Sequence, residues 1–212
     1  MREWAAEWGL PDESKLGANY DKAYLEATIT AGKGGTPIFG MRLQRDYAAM
    51  LSQTLDRIYL GLHSDTKRFE SAFGRVLYLH LSRRDKVAQA ISLVKAEQTG
   101  LWHLNADGTE LERMGVPRKP FYDFEAIYRE FASLQRQDRG WTEWFEQQGI
   151  APLPIEYEAL SEDPAGTVAQ VCEGLGIPAP EPDSLKIGVA KIAGAESAEW
   201  VRRFRVELAS RS

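Results

Sequence analysis

One stretch of the sequence, an apolar run that leads through two arginines into a helical pattern, constrains the fold more than any other. Residues 76–81 are almost entirely apolar and predict a short buried strand, which Arg83 and Arg84 end. The apolar side chains that follow are three or four positions apart, as on one face of a helix: Val87, Ala90, Ile91 and Val94. A strand that passes directly into a helix is typical of α/β proteins with a mainly parallel sheet.

The same junction contains a candidate anion site. Arg84 follows the predicted strand, and Ser92 lies eight residues later, about two turns into the predicted helix. A guanidinium and a hydroxyl at these positions could close around one phosphate, in the crevice where open α/β sheets bind ligands. The spacing alone is equally consistent with an ordinary junction whose arginines are solvated, so the surrounding segments must decide.

Composition excludes several classes of function. The formal net charge of −5 argues against bulk nucleic-acid binding, which normally needs a basic face. No apolar run approaches the length of a membrane span, and the first residues do not form a signal peptide, so we expect a cytoplasmic protein. The single cysteine, Cys172, allows no intramolecular disulfide and is expected to be buried. The three histidines lack the spacing of metal ligands, so we expect no metal.

Further predicted strands and helices alternate along the chain, which supports an α/β fold. Strands are predicted at 37–41, 75–81 and 152–157, and helices at 21–31, 44–60, 64–73, 83–98, 121–148, 163 to 174 or 176, and 197–209. The segment Gln98–Pro120 is predicted to be a long loop, of the kind that often serves as a lid or binding loop. The length suits a single domain, residues 1–212.

Five short motifs follow one another, and each is weak alone. They are FGMRL at 39–43; RRDKVAQAIS at 83–92 with Gln98, Thr99 and Trp102; GWTEWF at 140–145; IEYEAL at 155–160 with DP at 163–164 and GLG at 174–176; and Lys191 with SAEW at 197–200. In this order they resemble the sulfotransferase superfamily, and within it the bacterial trehalose 2-sulfotransferase-like family. The resemblance extends from about residue 2 to about residue 206.

The resemblance implies a fold and a reaction. The fold is a three-layer, P-loop nucleotide-kinase-like α/β fold with a mainly parallel sheet. The reaction is direct transfer of a sulfuryl group from 3′-phosphoadenylyl sulfate to a hydroxyl of a small acceptor, for which a carbohydrate is the expectation at family level. Such chemistry resembles phosphoryl transfer, in which the protein mainly positions the reactants and neutralises charge. Relatives also suggest a homodimer.

The resemblance also implies roles for individual residues. Arg83 or Arg84 would bind the 3′-phosphate of the donor together with Ser92, and Lys191 could add a second cation there. Arg42 could reach the sulfuryl oxygens as the catalytic residue, although a surface ion pair is an equally plausible role.

On the acceptor side, Gln98 and Trp102 are the candidate substrate-binding residues of a possible pocket wall, and Trp102 could stack on a base or on a sugar. A core or lid role for Trp102 stays open.

One part of the family pattern is missing from this sequence. Family members begin with a strand, a Ser/Gly-rich loop that holds the 5′-phosphosulfate, and a helix, and the carboxylate proposed as general base follows soon after. We find neither, so we expect a chain that is N-terminally truncated and incomplete for catalysis, or a remnant that has lost catalysis.

Two functions therefore stay open for this chain. One is a sulfotransferase that is active only in a full-length form, and the other is a non-catalytic nucleotide-binding or dimerisation module of the same fold. A fragment of a P-loop kinase is less favoured, because the Tyr157-Glu158 pair and the Arg84–Ser92 spacing would have no role there.

Overall fold

Helices make up most of the chain, and the strands are few and short. The structure, a computed structural model, describes residues 6–10, 17–190, 192 and 194–211. The chain divides into two units: Met1–Val76 with Trp144–Ile150, and Leu77–Glu143 with Ala151–Ser212. The prediction of a single domain over residues 1–212 stays a prediction.

The first unit contains the three helices predicted for it. They are α1 (Tyr20–Lys33), α2 (Arg45–Ile58) and α3 (Asp65–Phe73). The helix α3 begins where expected because Ser64 caps it, its hydroxyl oxygen accepting a hydrogen bond from the backbone N–H of Lys67 at 3.3 Å.

The prediction of a strand at 37–41 is wrong. This segment has no regular secondary structure, and Gly40 and Met41 are exposed. No described strand offers it a ladder partner, and the side chain of Phe39 packs on helices instead. The ring of Phe39 stacks on Phe73 of α3 with 5.7 Å between ring centroids, and it lies so close to Gly32 of α1 that a Cβ there would meet the ring at 2.5 Å.

The second unit contains all the strands that the structure describes. The strands are β1 (Leu79–Ser82), β2 (Leu101–Asn105), β3 (Glu110–Arg113), β4 (Leu153–Glu156) and β5 (Val189–Ala190). The helices are α4 (Lys86–Thr99), α5 (Phe124–Gln148), α6 (Tyr157–Glu162), α7 (Pro164–Leu175) and α8 (Ala195–Arg211), of which α5 ends in residues that belong to the first unit.

The predicted parallel pairing is present in one pair of strands. The strands β1 and β4 run parallel, with Leu79 opposite Leu153 and Ser82 opposite Glu156. The other described sheet is antiparallel, in the order β3-β2-β5. The observed fold is thus a mixture of helices with short sheets, one of them parallel.

The prediction that the strand corresponding to β1 is buried is wrong. Leu79 is 43% exposed and Leu81 is 56% exposed, whereas His80 and Ser82 are partly buried. Alternate residues of a strand point to the same face. The leucine face of β1 is therefore the face that the described chain leaves uncovered.

The prediction of a long loop at Gln98–Pro120 is also wrong, because this segment contains the hairpin β2–β3. The turn signal at 105–108 was visible in the sequence, and the backbone N–H of Asn105 closes the turn on the carbonyl of Thr109 at 2.8 Å. Two register shifts, between Leu101 and His103 and between His103 and Leu104, break the alternation that would have predicted strands.

The core of the second unit lies between α4, α5 and α8. It contains the four apolar residues of α4 that predicted the helix, packed with residues of the other two helices: Phe124, Ile127, Trp200 and Phe204. The ring centroids of Phe124 and Phe204 are 5.0 Å apart. This core fixes α4, and α4 in turn fixes the residues that follow β1.

Two smaller expectations can be compared with the structure. Cys172 is buried in α7 as a free thiol, which confirms its predicted burial. None of the described helices combines the length and the apolar character that a membrane-spanning helix needs.

Candidate functional site

The parallel pairing of β1 and β4 brings two of the sequence motifs together. Ser82 ends β1 and Glu156 ends β4, and the two residues lie opposite each other in the pair. The chain leaves the sheet after each of them. We call the residues at these two strand ends the strand-end junction: Arg83, Arg84, Asp85, Glu156, Tyr157 and Glu158. Ligands of α/β proteins commonly bind at such carboxyl ends of parallel strands.

Glu158 holds the turn between β1 and α4. Its carboxylate accepts hydrogen bonds from the backbone N–H of Arg84 at 3.2 Å and from that of Asp85 at 3.4 Å. Burial by itself would raise the pKa of Glu158, but these hydrogen bonds and the charge of Arg84 lower it overall. The carboxylate therefore stays ionised and fixes the backbone from which the arginine side chains project.

The side chain of Arg84 is anchored at one end and open at the other. Its Nε lies 3.2 Å from a carboxylate oxygen of Glu156 and 3.9 Å from one of Glu158, while the side chain is 65% exposed. The terminal nitrogens of Arg84 have no hydrogen-bond partner in the described part of the chain. They are free to bind an anion in a geometry that the anchored Nε restricts.

Arg83 and Arg205 complete the junction from two directions. The guanidinium carbon of Arg83 lies 4.6 Å from the centroid of the Tyr157 ring, and its buried Nε has no partner among the residues described. A terminal nitrogen of Arg205, from α8, lies 2.9 Å from a carboxylate oxygen of Asp85. Asp85 also caps α4 by accepting a hydrogen bond from the backbone N–H of Ala88 at 3.0 Å.

A second candidate site, a cavity of about 270 Å³, lies beside the second half of α4. Helices α4 and α8, the hairpin and the segment after it supply six polar residues to its wall: Ser92, Lys95, Thr99, Arg113, Arg118 and Ser197. We call it the α4–β2 cavity.

A β-bulge presents Trp102 to this cavity. Leu101 pairs with Arg113 and His103 pairs with Glu112, so Trp102 is an extra residue on β2. Successive residues of a regular strand point to opposite faces, but a bulge turns one of them. Leu101 and Trp102 accordingly both line the cavity.

Two cations of the cavity wall are held in place by carboxylates. Lys95 Nζ lies 2.5 Å from a carboxylate oxygen of Glu196. Arg113 makes a two-point pair with Glu110 and donates a further hydrogen bond to the carbonyl of Thr99 at 2.6 Å. These contacts leave little freedom to either side chain, so this part of the wall is preformed.

Gly100 allows the hairpin to approach α4 closely. It ends α4 with a φ of 74°, and a Cβ at this position would lie 2.0 Å from the carbonyl oxygen of Met114. The backbone N–H of Met114 donates to the carbonyl of Gly100 at 2.7 Å. A side chain here would push the hairpin, and with it the cavity wall, away from the helix.

The structure separates the predicted site residues into two groups. Ser92 and Trp102 line the same cavity, whereas Arg83 and Arg84 lie at the strand-end junction and are not part of that wall. Gln98 has a structural contact, because its side-chain oxygen accepts a hydrogen bond from the backbone N–H of Phe121 at 2.9 Å. Whether Arg84 and Ser92 share one phosphate stays a prediction.

Two predicted residues cannot be placed relative to these groups. Arg42 is exposed in the irregular segment before α2 of the first unit. Lys191 lies outside the described residues. The described residues contain no group of three or more histidine, cysteine or carboxylate side chains arranged to hold a metal ion.

The residues that sequence reasoning missed come from segments distant along the chain. Glu158 was part of a quoted motif, but its contact with the backbone after β1 depends on the pairing of β1 with β4. Arg113 and Arg118 lie in the segment mistaken for a loop. A prediction that β1 pairs with β4 would therefore have indicated the contact of Glu158. The turn of the hairpin would have indicated that Arg113 lies on a strand.

Comparison with known proteins confirms the resemblance. A family model described as Stf0 sulphotransferase matches residues 1–207, nearly the whole chain. This chain therefore belongs to that family of sulfotransferases, which are transferase enzymes.

Two relatives of this chain are both trehalose 2-sulfotransferases. The chain is 28% identical over 200 residues to trehalose 2-sulfotransferase of Mycobacterium tuberculosis, a match that covers 87% of this chain and 67% of that protein. It is 28% identical over 183 residues to trehalose 2-sulfotransferase of Mycolicibacterium smegmatis, covering 83% and 64%. The chain thus spans about two thirds of the length of these relatives.

Proposed function

We propose that this chain is the nucleotide-binding part of a sulfotransferase that uses 3′-phosphoadenylyl sulfate to sulfate a hydroxyl of a carbohydrate. Membership of the sulfotransferase family supports the reaction class. The names of the two curated relatives support a sugar acceptor. We further propose that the units form one cytoplasmic domain of the three-layer, P-loop nucleotide-kinase-like fold that the resemblance implies.

The strand-end junction is the observation that carries this proposal. Arg84 is anchored through Nε to Glu156 and keeps its terminal nitrogens open, while the carboxylate of Glu158 holds the backbone below it. Ser92 is exposed and its hydroxyl makes no hydrogen bond within the described residues. These donors fit a doubly charged 3′-phosphate, which accepts several charge-assisted hydrogen bonds.

The chain contributes mainly charge and positioning to the reaction. Arg84 and Ser92 bind the 3′-phosphate, with Arg83 and Lys191 as further cations. When bound, 3′-phosphoadenylyl sulfate supplies the sulfuryl group: the acceptor oxygen bonds to sulfur as the bond from sulfur to the phosphate oxygen breaks. The acceptor proton leaves to a base, and adenosine 3′,5′-bisphosphate is released. Holding charged groups in this way lowers the barrier without covalent participation of the protein.

The acceptor side of the proposal rests on Trp102 and Gln98. Trp102 offers an indole ring to the cavity, and the apolar face of a sugar ring packs well on such a ring. Gln98 would act as a positioning residue, because its hydrogen bond to the backbone of Phe121 ties the segment after the hairpin to α4.

Calorimetric titration with adenosine 3′,5′-bisphosphate tests the nucleotide site. We expect Arg84→Ala to weaken binding by about tenfold or more, because a charge-assisted hydrogen-bond donor is lost. Arg202→Ala is the matched control, since Arg202 is also an exposed arginine of the second unit and makes no contact with the junction. Equal affinity of wild type and Arg84→Ala would contradict the assignment.

An activity assay on the same protein preparation tests whether the chain by itself is an enzyme or a non-catalytic module. Release of adenosine 3′,5′-bisphosphate from 3′-phosphoadenylyl sulfate that depends on an added sugar would support the transferase. Tight binding of the nucleotide with no release in the presence of trehalose or other sugars would show that this chain, by itself, acts as a nucleotide-binding module.

A further inference from the structure

Glu156 lies where its carboxylate can fix the direction of the Arg84 side chain. It is the last residue of β4 and lies opposite Ser82, the last residue of β1, and Arg84 follows two positions after Ser82. A carboxylate oxygen of Glu156 is 3.2 Å from Nε of Arg84. Because Glu156 is paired in the sheet and its neighbour Ile155 is buried, the backbone that carries this carboxylate is held in place.

The carboxylate of Glu156 has no other structural role in the described part of the chain. Glu156 occupies the N-cap position of α6, but its side chain makes no capping hydrogen bond. The neighbouring carboxylate of Glu158 accepts hydrogen bonds from the backbone N–H groups of Arg84 and Asp85, and it lies farther from Nε of Arg84, at 3.9 Å. The two carboxylates thus divide the work: Glu158 holds the backbone, and Glu156 holds the guanidinium.

The direction of the Arg84 side chain depends on this ion pair. The side chain is 65% exposed, and its terminal nitrogens have no hydrogen-bond partner among the described residues. An exposed arginine without a partner samples many rotamers and loses that freedom when it binds a ligand. The ion pair with Glu156 restricts the rotamers beforehand, so the terminal nitrogens can reach an anion only within a limited region.

We propose that Glu156 is a positioning residue that makes the nucleotide site prefer a phosphate on the 3′ carbon of the ribose over one on the neighbouring 2′ carbon. This inference rests on the proposed function and deepens it. Arg84 supplies the charge that attracts the phosphate, and Glu156 determines which phosphate position that charge can reach. Attraction alone would not separate the two positions, because the two isomers carry the same charge.

Calorimetric titration of the whole chain with three nucleotides tests this proposal. The probes are adenosine 3′,5′-bisphosphate, adenosine 2′,5′-bisphosphate and adenosine 5′-monophosphate. We expect wild-type protein to bind the 3′ isomer about tenfold more tightly than the 2′ isomer, and Glu156→Gln to reduce this ratio to about twofold or less. The ratio reports the position of Arg84, because removal of one negative charge affects both isomers alike.

Two further variants control for charge and for the carboxylate itself. Glu162→Gln removes the same charge from an exposed residue at the end of α6, which forms no ion pair with the arginines of the junction. We expect its ratio to stay within about twofold of wild type. Glu156→Asp keeps a carboxylate at the end of β4, and we expect it to retain most of the preference for the 3′ isomer.

Two results would overturn the proposal. One is a preference for the 3′ isomer that is unchanged in Glu156→Gln. The other is the loss of all three nucleotides by Glu156→Gln, adenosine 5′-monophosphate included, because Glu156 would then hold the whole site together and not position Arg84 alone.

Failure of the proposed function would look different from these results. Wild-type protein would then bind all three nucleotides equally or bind none of them, which would overturn the present inference as well. If the inference alone fails, wild-type protein and Glu156→Gln both bind the 3′ isomer more tightly than the other two nucleotides.

Discussion

The strand-end junction and the α4–β2 cavity are both rich in cations, but they are built differently. At the junction Arg83 lies over Tyr157, Arg84 is held by Glu156, and Arg205 is held by Asp85. At the cavity the carboxylates that hold the cations do not line the wall, and Arg118 has no carboxylate partner in the described chain.

The two regions therefore differ in how they would bind an anion. Carboxylates hold Arg84 and Arg205 and largely cancel the net positive charge of the junction, so the proposed anion binding there would depend on geometry. The cavity keeps a net positive charge at its wall, so it attracts anions with less geometric restriction. We therefore expect variants to affect the two regions separately unless they disturb the core that both regions share.

The largest effect is expected from Phe204→Ala, which tests whether the two regions depend on one core. Phe204 is fully buried among the residues of α4 and α5, so its truncation should lower the free energy of unfolding by about 3–5 kcal/mol. Denaturant unfolding would measure this, with Val206→Ala as control because Val206 is 70% exposed on the same helix. A loss similar to that of the control would mean that α8 does not stabilise α4.

The junction could be predicted from the sequence better than the cavity, for a physical reason. Its arginines follow directly on an apolar strand and precede a helix whose apolar spacing is regular, so local pattern was enough. The cavity combines α4, a bulged hairpin and the start of α8, and the bulge removes the alternation by which Leu101 and Trp102 would have indicated a strand.

The tertiary contacts of the junction could not be predicted from local sequence patterns either. The hydrogen bonds of Glu158 join segments more than 70 residues apart, at separations of 74 and 73 positions. The strand predicted at 37–41 failed for a related reason, because an apolar run becomes a strand only where another strand pairs with it.

Gly100→Ala should damage the cavity and spare the junction. The added Cβ would collide with the carbonyl of Met114, and a φ of 74° is unfavourable for alanine, so we expect a loss of about 3 kcal/mol. Hydrogen exchange would show the loss as faster exchange in β2 and β3, with exchange at the junction unchanged.

Gly188→Ala is the control for this change, because its Cβ would meet no atom within 4 Å. Unchanged exchange in the hairpin of Gly100→Ala would show that the close approach to α4 is not required.

The smallest effect is expected from the acid titration of Glu158. Its pKa in the folded protein is below the ordinary value of 4.5, so the unfolded chain binds the proton more readily. The stabilisation is present at neutral pH and is lost as the pH falls below about 4.5 through the folded pKa. In Glu158→Gln this acid-dependent part of the free energy of unfolding should disappear.

Glu181→Gln is the matched control, because Glu181 is exposed and its side chain makes no contact with the junction. If both variants lose stability with acid as the wild type does, the hydrogen bonds from the backbone of Arg84 and Asp85 do not stabilise the ionised carboxylate.

Comparison of two nucleotides tests the central claim most directly. Adenosine 3′,5′-bisphosphate and adenosine 5′-monophosphate differ only in the 3′-phosphate, and titration calorimetry would give the affinity of the chain for each. We predict that the bisphosphate binds about tenfold more tightly or better, because we propose that Arg84 and Ser92 hold the extra phosphate. Equal affinity for the two nucleotides would contradict a 3′-phosphate site at the strand-end junction.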